Sequence, residues 1–147
     1  MSWQTVFILF AALIAVRMAL NFYAKLYPPE NLVIEDLSGK KLASASEYYV
    51  VDIRTPNEWK ETGVIKGAHL LTFGSPESFL NEIRPKLASY QKLALICRSG
   101  NRSSRAARKV AKRVNWSVVD VQGGMTRVLG NGYKTVQPTR AMGCETC

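Results

Sequence analysis

Histidine and cysteine are nearly missing from this sequence of 147 residues, which has one histidine, His69, and three cysteines, Cys97, Cys144 and Cys147. Three cysteines, one far from the other two, cannot make a disulfide framework, so each needs its own explanation. Acidic residues are also in deficit, 11 against 20 basic ones, which leaves a net charge of +9. That surplus points to anionic company, whether nucleic acid, acidic lipid or a small anion, and says nothing about the fold. No Lys or Arg precedes Arg17, and no small-x-small cleavage site comes before the polar stretch, which argues against a cleaved signal peptide. The length excludes a large multidomain machine and fits one ordinary domain of roughly 100–200 residues with an appendage. A hydrophobic fraction of 47% with 21% charged residues excludes a chain too polar to collapse.

The appendage is N-terminal. Val6 to Val16 is an unbroken apolar run of 11 residues, and Met18, Ala19 and Leu20 extend it. About 20 residues of helix suffice to cross a bilayer. Arg17 lies in the second half, where its long side chain snorkels toward the nearer surface, and Trp3, Tyr23 and Tyr27 suit the two interfaces. Residues 1–27 are therefore expected to be an uncleaved transmembrane anchor. Arg17, Lys25, Lys40 and Lys41 all lie on its C-terminal side, so the positive-inside rule places the soluble part in the cytoplasm. Pro28 and Pro29 stop the helix and begin a connector, 28–31.

Short apolar runs then alternate with helical patterns. The runs are Leu32 to Ile34, Tyr49 to Ile53, Ala68 to Leu71, Leu93 to Cys97 and Val118 to Val121. They are continuous and β-branched, as buried parallel strands are. Pro56 to Thr62, Ser75 to Leu87 and Ser103 to Val114 are expected as helices, the second with an N-cap serine and an N1 proline. The rhythm predicts one α/β domain with helices covering a mainly parallel sheet, over residues 32–136. Ligands bind such sheets at the carboxyl ends of the strands.

One strand end carries the chemistry. Leu93 to Ile96 runs into Cys97-Arg98-Ser99-Gly100-Asn101-Arg102-Ser103 and then into a helix. Successive N–H groups in such a turn, with the helix N-terminus, make a concave anion site. Gly100 permits the tight turn, Arg98 and Arg102 add positive charge, and this field favours a nucleophilic thiolate.

These residues resemble the rhodanese-like domain. The resemblance runs through nearly all of Leu32 to Val136: Val51-Asp52-Ile53-Arg54 with Glu58-Trp59, Gly63-Val64-Ile65-Lys66-Gly67-Ala68, the Cys97 loop, and Gly123-Gly124-Met125 near Gly132-Tyr133. It implies a five-stranded parallel sheet flanked by helices and a sulfurtransferase cycle. In that cycle Cys97 takes sulfane sulfur from thiosulfate or a related donor as a persulfide and passes it to a thiol, cyanide or an acceptor protein. The persulfide is expected to be held by the loop residues Arg98, Ser99, Gly100, Asn101 and Arg102, with Asp52 and Arg54 nearby fixing the charge balance. Asp52 and Arg54 also share a strand face, which suits a purely structural pair. Phosphatases and arsenate reductases of this fold have one more residue between cysteine and arginine, so the Cys-x4-Arg spacing favours sulfur transfer. A membrane-tethered delivery or partner-binding module with little free turnover is the other alternative. No metal or organic cofactor is expected.

The chain departs from the family at Val128, where a tryptophan is frequent, and at Val64, where histidine is common. His69 is assigned no catalytic duty, and Trp59 and Trp116 read as core aromatics. Seven basic residues lie between Arg98 and Arg113 without an acid. Arg102, Arg105, Lys109 and Lys112 form one helical stripe, read as a solvated face, a steering field for sulfur anions or a contact with lipid headgroups. Nucleic acid is not expected, because no binding module or stacking array accompanies the stripe. Residues 137–147 are expected as a mobile tail whose Cys144-x-x-Cys147 pair is incidental or relays sulfur from Cys97.

Overall fold

The computed structural model describes residues 2–147, without the side chains of Ala24 and Lys25; the charge of Lys25 invoked for orientation therefore falls outside the described residues. Helix α1 (Trp3–Leu26) is followed by β1 (Leu32–Glu35), α2 (Gly39–Ser44), β2 (Tyr48–Asp52), α3 (Pro56–Thr62), β3 (His69–Leu70), α4 (Pro76–Ile83), β4 (Lys92–Ile96), α5 (Asn101–Ala111), β5 (Val118–Val121) and α6 (Gly124–Gly130). The five strands form one sheet in the order β1-β5-β4-β2-β3, every neighbouring pair parallel.

Strand β4 is central, and side chains alternate between its two faces. Leu93, Leu95 and Cys97 pack with Phe79, Leu80 and Ile83 of α4 and Ala106, Ala107 and Val110 of α5. Ala94 and Ile96 pack on the other face with Leu42 of α2 and Met125 and Val128 of α6. Both faces are covered, so the run is apolar throughout, and each large aliphatic chain buried there contributes roughly 1.5–3 kcal/mol. Asn31 fastens β1 to the end of α5 by donating from Nδ2 to the carbonyls of Ala111, Val114 and Trp116 at 2.9–3.1 Å.

Several elements differ from their expected bounds for local reasons. Helix α4 stops at Ile83, four residues early, because Pro85 has no N–H to continue the ladder, although Arg84, the C-cap, still takes a helical conformation. Only His69 and Leu70 of the expected 68–71 strand are paired, against Val51 and Asp52. Helix α5 begins at Asn101, two residues early, directly after Gly100 at φ +94°.

The tail is a correction. Residues 137–147, expected to be mobile, pack onto the domain through a 3-10 turn, Arg140–Met142, and a Cys144–Cys147 disulfide. Val136 leads in by exchanging backbone hydrogen bonds with Val64 at 2.9 and 3.0 Å. Cys144 is then fully buried with Trp59, Val64 and Leu70. Apolar groups spaced this irregularly leave no periodic signal in a sequence.

Helix α1 makes no such contacts. Trp3–Tyr23 is long and apolar enough to cross a membrane, and none of it is buried against the domain.

Candidate active site

Cys97 follows β4 directly, and the chain turns over it into α5. Its Sγ accepts hydrogen bonds from the Gly100 amide at 3.2 Å and the Ser103 amide at 3.3 Å. Ser103 occupies the first turn of α5, where N–H groups have no helical acceptor and are free for a ligand. These two amides are the ring around Sγ itself. Among the loop residues Arg98 to Arg102, only Gly100 donates its amide to sulfur; Ser99 and Asn101 are exposed, and the second donor comes from Ser103, one position beyond the anticipated set.

The loop is clamped from behind by α6. The Met125 amide donates to the Cys97 carbonyl at 2.8 Å, and the Thr126 amide and hydroxyl donate to the Arg98 carbonyl at 2.8 and 2.9 Å. A Cβ on Gly124, at φ +58°, would lie 2.4 Å from the Cys97 carbonyl oxygen. The glycine pair near the C-terminus is therefore a matter of contact with the cysteine loop.

The arginines divide into three kinds. Arg54, 1% exposed, has its donors committed: Nε and Nη2 to Asp52, Nη2 also to the Gly63 carbonyl, and Nη1 to Thr62 and the Glu58 carbonyl. With Asp52 fully buried, this pair ties β2 to both ends of α3, and neither partner has a free group for an anion. Of the two roles expected for Asp52 and Arg54, fixing the charge balance near the loop and pairing as a structural brace, these bonds are those of the brace. Arg102 forks onto Glu58 at 2.9 and 2.5 Å, so its charge is already met. Those bonds hold the Glu58 carboxyl well below its ordinary range, at about 2, against the opposing effect of burial. Arg98 is exposed and makes no ion pair among the described residues. It lines a cavity of about 230 Å³ with Arg54, Glu58, Glu61, Met125 and Thr126. Cys97 is 0% exposed and does not line that cavity, so a donor reaches Sγ only when the covering groups move.

Behind the sulfur lie two polar residues that the sequence reading did not single out. Ser103 Oγ is 3.6 Å from Cys97 Sγ and donates to Asp120 Oδ1 at 2.6 Å. Burial pushes the Asp120 carboxyl up, opposed by the Ser103 hydrogen bond and the charge of Arg108. Asp120 did carry a signal: a lone carboxylate inside Val-Val-Asp-Val, a strand buried on both faces, requires a polar partner. Glu58 carried one as well, three residues after Thr55, whose amide it accepts at 3.1 Å as in a capping box.

His69 sits on the edge strand β3, its titration pushed down by burial and then by Lys86. Cys144 and Cys147 are bonded to each other, with Cys144 packed by β3, two strands from β4. Val64 and Val128 are both core residues.

A single thiol at the end of a central parallel strand, wrapped by a loop that opens a helix, defines an α/β domain built around a cysteine loop. The family model for the rhodanese-like domain matches residues 34–131, and the chain belongs to that family. Among solved structures it is similar to a rhodanese-related protein from Thermoplasma volcanium, 27% identical, with a TM-score of 0.55 over 71% of this chain and 99% of that one. A protein from Rhodopseudomonas palustris described as a possible tyrosine phosphatase is 24% identical, with a TM-score of 0.54 over 70% of this chain and 85% of that one. A rhodanese-like domain protein from Staphylococcus aureus is 21% identical, with a TM-score of 0.53 over 72% and 98%. The last two likenesses show the fold alone. No curated protein matches the chain.

Proposed function

We propose that the protein is a membrane-anchored sulfurtransferase with Cys97 as nucleophile and sulfur carrier. The observation that carries this reading is the seat of Cys97 Sγ, which accepts the amides of Gly100 and Ser103 at the N-terminus of α5. Those donors favour an anionic sulfur. The thiolate attacks the outer sulfur of thiosulfate, the S–S bond breaks, and its electron pair leaves on sulfite. The terminal sulfur of the persulfide is then transferred to a thiol, cyanide or a protein acceptor, and Cys97 departs as thiolate. Arg98 is the cation available to draw the anionic donor in. The test is thiocyanate formation from thiosulfate and cyanide by the full chain in detergent micelles. Activity that disappears in Cys97→Ser is the expected result; a variant with full activity would overturn the assignment.

A delivery module with little free turnover is the second reading, favoured by one observation. The sulfur is covered, and of the nearby arginines Arg54 and Arg102 are committed to carboxylates. A docking partner would then supply the movement that exposes Sγ. Persulfide on Cys97 by mass spectrometry, with negligible thiocyanate, selects this reading. Phosphate release that needs Cys97 would instead select a phosphatase and defeat the argument from the Cys-x4-Arg spacing.

The anchor reading rests on α1, apolar on all sides and unpacked. With the domain on the cytoplasmic face, where thiols are kept reduced, the Cys144–Cys147 bridge is a reversible pair and not a permanent staple. Labelling domain lysines in sealed vesicles with an impermeant reagent tests the orientation.

A further inference from the structure

Asp120 has no part in the sulfur cycle above, yet it is one of four buried polar or charged residues of the domain and is two hydrogen bonds from the nucleophile. Cys97, Ser103 and Asp120 come from the end of β4, the first turn of α5 and β5, and lie on the same side of the sheet. The Ser103 hydroxyl has one proton to give. It stands 2.6 Å from Asp120 Oδ1 and 3.1 Å from the Gly100 carbonyl, while the sulfur approaches its oxygen at 3.6 Å. Facing Asp120 from α5 are Ser103, Ser104 and the cationic Arg108, whose buried Nη1 has no hydrogen-bond partner among the described residues. Its register neighbours, Leu95 on β4 and Ile34 on β1, are apolar. The carboxylate is nearly buried, at 5% exposure, and the side-chain hydrogen bond it accepts at 2.6 Å comes from Ser103, the residue that also meets the sulfur.

Resting on the reading of Cys97 as nucleophile, we infer that Ser103 and Asp120 form a proton-holding relay behind it, with Asp120 a positioning residue that takes the thiol proton through the Ser103 hydroxyl. The S–H bond breaks as an O–H bond forms on Ser103. The original Ser103 O–H bond breaks as Asp120 Oδ1 gains the proton. One proton moves from sulfur to carboxylate, and the trio's charge is unchanged. Ser103 then donates to the thiolate and accepts from protonated Asp120, so the anion released when sulfur is delivered gains a third donor beside the two amides. With Asp120 ionised the hydroxyl points to the carboxylate, its lone pair faces sulfur, and S–H is favoured. Two groups this close titrate as a pair.

The chain has only three aspartates, Asp36, Asp52 and Asp120, so carboxyl-labelled aspartate gives a resolvable NMR spectrum of the full-length protein in micelles. The Asp120 resonance is expected to show a second inflection at the pH where the Cys97 Cβ resonance moves, and to lose it in Cys97→Ala. Ser103→Ala is expected to shrink that inflection by removing the bridge. Asp120→Asn removes a negative charge close to sulfur and is expected to move the Cys97 titration to lower pH by about one unit or more. The disulfide-bonded Cys144 and Cys147 do not titrate and serve as internal references. A single Asp120 step that is the same with and without Cys97 would overturn the relay, as would a Cys97 titration unmoved by Asp120→Asn. Because these readouts need no turnover, a coupled titration in a protein without sulfur transfer would refute the proposed reaction and leave the relay standing.

Discussion

Cys97 and Cys144 are both fully buried, yet their surroundings prepare them for different fates. Cys97 sits where a strand gives way to a helix start, with two amide donors on its sulfur and a hydroxyl beside it. Cys144 sits by an edge strand among Trp59, Val64 and Leu70, with its sulfur bonded to Cys147. Burial alone therefore does not make a thiol inert or reactive; the dipoles aimed at it do. The first sulfur has been given an environment that accepts negative charge, and the second one that accepts a small apolar group.

Sulfur loading tests that contrast most severely. Cys97→Ser is expected to abolish thiosulfate-dependent persulfide formation, whereas Cys144→Ala with Cys147→Ala retains it, both read by intact mass. Loading that requires Cys144 or Cys147 would reverse the assignment and revive the relay role for the C-terminal pair. Next in size is Gly124→Ala. Its Cβ meets the Cys97 carbonyl at 2.4 Å, and backbone cannot yield as a flexible side chain would. A loss of about 2 kcal/mol or more is expected by denaturant titration, together with impaired loading, because the loop itself must shift. An equal loss of stability with loading intact would show that the α6 clamp supports the fold and not the sulfur seat.

Much of this was legible in the sequence, and what was missed follows a physical pattern. Continuous β-branched runs mark β2, β4 and β5 nearly to the residue, since strands buried on both faces leave little room for other patterns, and β1 shows the same apolar run although Val33 and Ile34 are exposed. The Cys97 loop was legible because Gly100, Arg98 and Arg102 crowd one strand end. What those arginines do was not, because Glu58 reaches Arg102 from 44 residues away and local charge counting cannot see a partner at that separation. Asp52 and Arg54 were placed correctly beside each other, but only geometry reveals that Gly63, Thr62 and Glu58 take up the remaining guanidinium donors. Helices α2 and α6 are six and seven residues long, too short for a periodic stripe to stand out.

The smaller effects sharpen the comparison further. Cys144→Ala with Cys147→Ala should cost about 2 kcal/mol, the loop-closure contribution of so short a bridge, and should loosen the packing around Trp59. Tryptophan emission that moves with reduction of the bridge, while Cys97 loading does not, would confirm that the two regions are energetically separate.

Glu58→Gln has the smallest expected effect and acts on the Cys97 side. The carboxyl titrates at about 2 in the folded chain against an ordinary 4.5, because it accepts the Arg102 fork. A folded-state value below the unfolded one means that the contribution to stability is complete above about pH 4.5 and is lost as pH falls toward 2. Wild-type melting temperature should therefore fall across that window with a component that Glu58→Gln lacks. At neutral pH the variant should lose about 1 kcal/mol or less, since Arg102 is 41% exposed and solvent screens the pair. The same change frees the Arg102 guanidinium beside Cys97, so the KM for thiosulfate should fall while that for a neutral acceptor thiol stays constant. If both were unchanged, Arg102 would be a brace between α5 and α3, and the attraction of anions to the loop would rest on Arg98 alone.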